Sequence, residues 1–443
     1  MNYKVGIVSL GCAKNRVDAE MLMYNLHKAG FTLVEDAAMA DVAIVNTCGF
    51  IESAKQESID EILELANLKK EGKIKAIVVT GCLAERYKSE VMKQLYEVDA
   101  VVGIGANENI AQIVKDALLG KKTESYPDKQ LLSLDGGRVQ STLPHYAYLK
   151  IAEGCDNCCT YCAIPLIRGH FRSRKMENII EEAKRLAKNG VKELLVIAQD
   201  TTRYGEDIYG ELKLSELLTE LCKIDGIMWV RVLYCYPDRI TDELIDVIAR
   251  EEKIVKYIDI PLQHCNGRVL KSMNRRGNRE SLTALLNKIK ERIPNVVLRT
   301  TLIAGFPGET DEEFEELCQF VKEIKFQRLG CFAYSQEEDT PAALMENQID
   351  DETKNKRAEI IMSCQQSIMD EYEQGLIGTE ADVLVEGFDR YAECYFGRTY
   401  ADAPEVDANV FIVADGKKIA VGDIIKVRIT DVIDGDPIGE MVV

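Results

Sequence analysis

The sequence predicts an α/β multidomain chain with an N-terminal doubly wound parallel sheet, a central partial (βα)6 barrel and a C-terminal OB-like β-barrel. Three observations carry that expectation. Short apolar runs alternate with helical periodicity up to about residue 120, the alternation recurs six times after residue 144, and past Leu376 short β-branched runs broken by turns replace it. At roughly 100–200 residues per domain, 443 residues fit two to four domains, and 46% hydrophobic residues suffices for packed cores.

In residues 1–120 the expected strands are Val5 to Leu10, Val42 to Val45, Ala76 to Val79 and Ala100 to Ile104. Ile59, Ile62, Leu63 and Ala66 recur at i, i+3, i+4, i+7 and mark one helix; Val91, Leu95 and Val98 mark another. Strands separated by helices pair in parallel. Residues 121–143 lose the periodicity and carry Lys121, Lys122, Pro127, Gly136 and Gly137, so a linker is expected there. The central unit, 144–373, has strands near Tyr148 to Ile151, Leu194 to Ala198, Trp229 to Tyr234, Tyr257 to Ile260, Val296 to Ile303 and Leu329 to Tyr334. Six units instead of eight imply an open barrel with its chemistry at the C-terminal strand ends. In 376–443, the runs Ala381 to Val385, Val410 to Val413 and Ile424 to Ile429, with Asp415-Gly416 and Asp434-Gly435 as turns, read as a small β-barrel.

A net charge of -19 and a pI near 4.9 disfavour broad attachment to nucleic acid, which needs a basic surface. A basic protein partner suits the chain better. No segment reaches membrane-spanning length and none resembles a secretory signal, so a cytoplasmic location is expected, with no membrane contact. In that setting 14 cysteines point to metal ligands and small buried hydrophobes instead of disulfides.

Their positions separate the two roles. Glu153 to Cys162 reads EGCDNCCTYC and leaves the first strand of the central unit at its functional end. Thiolates this close favour an iron–sulfur cluster. A four-iron cluster normally takes four cysteines, so Cys155, Cys159 and Cys162 leave one iron open for the amine and carboxylate of S-adenosylmethionine. With Cys158 the string also reads C-x-x-C-C-x-x-C, a four-cysteine zinc pattern, but abutting pairs would strain a tetrahedron. Cys12, Cys48 and Cys82 each end an apolar strand, so they converge on one sheet edge where doubly wound folds bind ligands. A lone cysteine there is more often a buried small residue. Three at equivalent strand ends favour a second three-thiolate cluster. Cys222, Cys235, Cys265, Cys318, Cys331, Cys364 and Cys394 show no such spacing and are assigned to packing. Of the histidines, only His264 follows a barrel strand, and a structural role is expected for it.

Four stretches, SLGCAKNRVDAE (9–20), NTCGFIESAKQESI (46–59), TGCLAERY (80–87) and EGCDNCCTYCAIPLIRG (153–169), resemble the methylthiotransferases of the radical S-adenosylmethionine (radical SAM) superfamily, RimO type. The resemblance runs from an N-terminal methylthiotransferase domain through a radical SAM core to a TRAM domain. The tRNA-modifying MiaB type, the alternative, reads GCQMN and a TCSIR-like string where this chain has GCAKN and TCGFIESA.

The resemblance implies two 4Fe-4S clusters, one on Cys155, Cys159 and Cys162, the other, auxiliary, on Cys12, Cys48 and Cys82. It implies S-adenosylmethionine as radical source and methyl donor, and a methylthio group placed on the β-carbon of an aspartate in the twelfth protein of the small ribosomal subunit. Tyr161, Gln199, Asp200, Ile303, Gly305 and Glu309 are the implied S-adenosylmethionine contacts, although Thr301 departs from the first Gly of the family's G-x-I-x-G-x-x-x-E pattern. Arg168, Arg172 and Arg174, beside the cluster loop, either meet the substrate or a carboxylate, or form a solvated face. A low-potential donor such as flavodoxin or ferredoxin and a monomeric state complete the expectation. Residues 376–443 hold 14 acids against 6 bases, which suits a basic ribosomal protein better than RNA.

Overall fold

The structure, a computed structural model, describes residues 3–414 and 416–442; Asp415, half of one expected turn, lies outside the described residues. The N-terminal sheet contains β1 (Lys4–Ser9), β2 (Thr32–Val34), β3 (Val42–Thr47), β4 (Ala76–Gly81), β5 (Ala100–Val102) and β6 (Thr123–Ser125), all parallel in the order β2-β1-β3-β4-β5-β6. β3 and β4 are buried at every position, as central strands covered on both faces must be. Alternation decides which face each side chain joins. Val42, Ile44 and Val78 meet Leu22 and Leu26 of α1 (Ala13–Lys28), while Ala43, Val45, Ile77 and Val79 meet Ile62, Leu65 and Ala66 of α2 (Glu52–Lys70). The sheet is therefore doubly wound, as expected.

Two differences appear here. β6 lies in the stretch read as a linker; Thr123-Glu124-Ser125 has no apolar period and is held by edge pairing to β5. The helix expected through Val98 spans only Ser89–Gln94, because Leu95 leaves helical dihedrals (φ -109, ψ 72) and Val98 is buried in the turn beyond.

The central sheet is also all parallel, in the order β14-β13-β12-β11-β10-β7. Its strands are β7 (Tyr146–Lys150), β10 (Glu193–Ile197), β11 (Trp229–Val232), β12 (Ile254–Asp259), β13 (Val297–Ala304) and β14 (Arg328–Ala333), with β8 (Ala152–Glu153) and β9 (Arg172–Ser173) forming a small ribbon beside it. β7 and β14 are its two edges, so the barrel is open. Outward side chains such as Leu194, Val196, Val230 and Leu298 pack on the surrounding helices.

The helix Asp351–Gln374 leads to a closed five-stranded barrel of β15 (Glu380–Asp389), β16 (Cys394–Arg398), β17 (Val410–Val413), β18 (Ile424–Ile433) and β19 (Asp436–Met441). Asp434 and Gly435 both take positive φ (52 and 88), the tight hairpin conformation that joins β18 to β19. The segment between β16 and β17 reaches under the central barrel. Ala401 and Ala403 are buried with Tyr146, Tyr148, Leu195, Ile197 and Tyr257, and Arg231 donates to the Tyr400 carbonyl at 2.8 Å. Arg398 bridges Glu193 and Glu386, Asp402 takes Arg328, and Asp407 accepts from the Tyr257 hydroxyl. Three acids of the C-terminal unit, Glu386, Asp402 and Asp407, are thus engaged inward, and its outward acidity is weaker than the raw count implies. The strands' starting ends are plugged, which leaves the opposite end for chemistry. Among the described residues, no helix is long and apolar enough to cross a membrane.

Candidate active site

The three strand-end cysteines meet because their loops are trimmed and tied. Cys12 precedes α1, Cys48 follows β3, and Cys82 opens the short helix α3 (Cys82–Tyr87) directly after β4. Gly11 has φ +86, and a Cβ there would lie 2.8 Å from Cys48 Cβ and 2.9 Å from its Sγ. Gly81 has φ +90, and a Cβ there would lie 2.6 Å from the Thr47 backbone N and O. Only glycine permits both conformations at that packing. The Asn15 amide donates to the carbonyls of Leu10, Asn46 and Thr47 at 2.7, 3.2 and 3.2 Å, and the Cys48 N–H donates to Ser58 Oγ at 3.0 Å. Strand ends are thereby fixed by side chains from the following helices.

The contiguous cysteines sit in a loop held from outside. The Cys155 N–H donates to the Gly169 carbonyl at 3.1 Å, and Asn157 donates to Asp200 Oδ2 at 2.8 Å. Arg239 donates to both Asn157 Oδ1 and Asp200 Oδ2 at 3.1 Å. Arg275 stacks on Tyr236, 4.2 Å from the ring centroid, and donates to the Pro261 carbonyl (2.6 Å), the Tyr161 hydroxyl (3.4 Å) and Cys159 Sγ (3.8 Å). Cys158 is exposed, with φ 50, and is not among the cavity walls described next.

Both triads open into one cavity of about 330 Å³. Cys12, Cys48 and Cys82 line it from the N-terminal sheet, and Cys155, Cys159 and Cys162 from the barrel. Lys14, Arg168, Gln199, Tyr234, Asp259 and Arg299 complete much of its wall. Arg168, 2% exposed, joins the two units. It donates to Asp18 and Asn15 of α1, to Glu153 of β8, and to Cys82 Sγ at 3.3 Å. Lys150 pairs with the same Asp18 and Glu153. Burial works to raise the Glu153 carboxyl, but Lys150 and Arg168 outweigh it and hold it down at about 2. Burial pushes the Cys82 and Cys155 thiols up to about 12. Cys12 goes down: desolvation is outweighed by Lys14, Arg168 and the N–H groups of Asn15 and Lys14.

The donor set fits iron–sulfur clusters. Three soft sulfur donors from each side face a common space. Of the other expected site residues, Tyr161 and Gln199 line the cavity, and so does Thr301. Asp200, Ile303, Gly305 and Glu309 are not among its walls. Asp200 is occupied by Asn157, Arg239 and Thr202; Glu309 accepts from the N–H groups of Gly305 and Phe306 and from Arg357. His264 is fully buried 3.8 Å from Glu309 and is not among the cavity walls. Arg172 donates to the backbone carbonyls of Lys129, Gln130 and Leu132, and Arg174 pairs with Asp135 and Glu182. Neither is a solvated face. Lys14, Asn15, Tyr234, Asp259, Arg275 and Arg299 were not singled out from sequence; for Lys14 and Asn15 the signal was adjacency to Cys12.

Residues 4–103 match the "Uncharacterized protein family UPF0004", residues 149–321 the "Radical SAM superfamily" and residues 377–442 the "TRAM domain". The chain is 48% identical over 437 residues to the ribosomal protein uS12 methylthiotransferase RimO of Thermoanaerobacter sp. (strain X514), covering 98% of this chain and 99% of that one. It is 50% identical over 439 residues to the protein of the same name from Clostridioides difficile (strain 630), covering 99% and 98%. Among solved structures, the radical S-adenosylmethionine methyltransferase TsrM of Kitasatospora setae, with cobalamin and a 4Fe-4S cluster bound, superposes with a TM-score of 0.58 at 14% identity, covering 78% of this chain and 77% of that one. The cobalamin-dependent S-adenosylmethionine radical enzyme OxsB gives 0.50 at 13% identity, covering 82% and 56%. The two structures share the fold, and the full-length relatives settle the family: the chain belongs to the RimO-type methylthiotransferases of the radical SAM superfamily.

Proposed function

We propose that this protein adds a methylthio group to the β-carbon of an aspartate in ribosomal protein uS12, using two 4Fe-4S clusters and S-adenosylmethionine. The observation that carries the reading is that six cysteines from two separate sheets line a single cavity. Cys155, Cys159 and Cys162 would hold one cluster, and Cys12, Cys48 and Cys82 the other. When bound, these groups supply the reducing electron, the radical chemistry, and the sulfur and methyl that are transferred. Everything else falls to the protein. Tyr161 and Gln199 would contact S-adenosylmethionine, a reading supported by their lining the cavity. Asp200 and Glu309 act one step back: Asp200 fixes the cysteine loop through Asn157, and Glu309 fixes the backbone at Gly305 and Phe306. Ile303 and Gly305 belong to the barrel wall that this backbone supports. Arg168 holds the two cysteine sets in register, and the aromatic walls of Tyr161, Tyr234 and Tyr236 exclude water.

The units expected at 1–120, 144–373 and 376–443 then divide the work into sulfur delivery, radical generation and substrate docking. The relatives bear the uS12 name over their full length, which favours a protein substrate over the tRNA of the alternative. The proposed setting is a cytoplasmic monomer served by flavodoxin or ferredoxin. Mass spectrometry of uS12 after incubation with reconstituted protein, reductant and S-adenosylmethionine tests the assignment. A methylthio mass increment on one aspartate is expected; modification of tRNA with none on uS12 would reverse it.

A further inference from the structure

We propose that Lys14 is the substrate-recognition residue whose ammonium receives the side-chain carboxylate of the target aspartate. This rests on the functional reading above and assigns the group that recognises that substrate. Lys14 is 4% exposed and lines the cavity. Its Nζ lies 3.3 Å from the centroid of the Tyr234 ring, which attracts a cation but carries no formal counter-charge. Among the described residues, no carboxylate pairs with it. The other cations in the wall are already satisfied: Arg168 by Asp18 and Glu153, Arg299 by Asp259 at 3.1 Å, and Arg275 by the Pro261 carbonyl, Tyr161 and Cys159. Asp259, the one carboxylate among the lining residues, also accepts from the Tyr234 N–H at 2.9 Å. The nearby anion is the Cys12 thiolate, two residues away on the same turn, and a ligand carboxylate would add the oxygen partner that this buried ammonium lacks.

Position adds to charge. Lys14 is on the first turn of α1, two residues past Cys12, while Tyr234 follows β11 of the barrel, so the ammonium stands where the two units meet. A carboxylate anchored there leaves the β-carbon of an aspartate one bond from the fixed carboxyl carbon. A glutamate would carry its β-carbon one bond further away. The methionyl carboxylate of S-adenosylmethionine is the other anion of this chemistry, but its expected place is the open iron over the Cys155 loop, whereas Lys14 belongs to the Cys12 helix.

The test measures binding of purified uS12, in its native form and with the target aspartate replaced by asparagine, to the reconstituted full-length protein, its Lys14→Met and its Lys14→Arg. The wild type should prefer the aspartate form by about tenfold, Lys14→Met should show no preference, and Lys14→Arg should keep part of it. Equal binding of both forms by the wild type overturns the proposal whatever the variants do. So does a preference that survives in Lys14→Met, or a loss confined to S-adenosylmethionine affinity. Methylthiolation of native uS12 by the wild type is recorded in parallel: its presence keeps the functional reading standing if Lys14 fails, and its absence overturns both.

Discussion

Cys155, Cys159 and Cys162 lie within eight consecutive positions, whereas Cys12, Cys48 and Cys82 are spread over seventy-one positions and three strands. The first set needs only a loop. Its spacing fixes where the three thiols stand, and the surroundings merely hold the loop against the barrel through Asn157, Asp200 and Arg275. The second set exists only when β1, β3 and β4 are paired in register, Gly11 and Gly81 leave room, and Asn15 ties the loops. Local geometry makes one site tolerant of its neighbours; tertiary geometry makes the other dependent on them. Arg168 is where the two kinds of site touch, since it contacts Cys82 and also Glu153, two residues before Cys155.

That contrast ranks the expected effects of substitution. Arg168→Met should be the most damaging, because it leaves Asp18 and Glu153 with Lys150 as their remaining cation in a buried network; the cost should be ~3–5 kcal/mol in urea unfolding of the apoprotein. A change below ~1 kcal/mol would mean that the two units are not held together here. Gly81→Ala follows, at ~3 kcal/mol, since it combines positive φ with a clash against Thr47; auxiliary-site iron should fall with it. Gly120→Ala, also at positive φ (+75) but with open space around it, is the control and should cost only ~1 kcal/mol. Cys158→Ser should be nearly silent, within ~0.5 kcal/mol and with unchanged iron content, because the side chain is exposed and outside the cavity. Loss of iron there would make Cys158 a cluster ligand.

The same contrast explains what could be read from sequence. Both triads were legible, one from spacing and the other from three apolar strands ending in cysteine, and the buried strands of both parallel sheets were legible from their continuous apolar runs. β2, β6, β16 and β19 were not, because short edge strands and a twisted barrel carry weak periodicity and take their pairing from neighbours. The inward use of Glu386, Asp402 and Asp407 was also hidden: composition counts charge but not which side of a barrel it faces. The neighbours of Asp200 and Glu309 were hidden too: a motif gives proximity to a site, but not that Asn157 and Arg239 hold one carboxylate and the Gly305 N–H and Arg357 the other.

The central claim is that two cluster sites share one cavity. Iron and sulfide quantitation on reconstituted wild type, on the Cys12→Ala, Cys48→Ala, Cys82→Ala triple variant and on the Cys155→Ala, Cys159→Ala, Cys162→Ala triple variant tests it most directly. Each variant should retain about half the wild-type iron and sulfide, as two similar cysteine-ligated clusters require. Unchanged iron in the Cys12, Cys48, Cys82 variant would contradict the account, and the cavity would then belong to a single cluster.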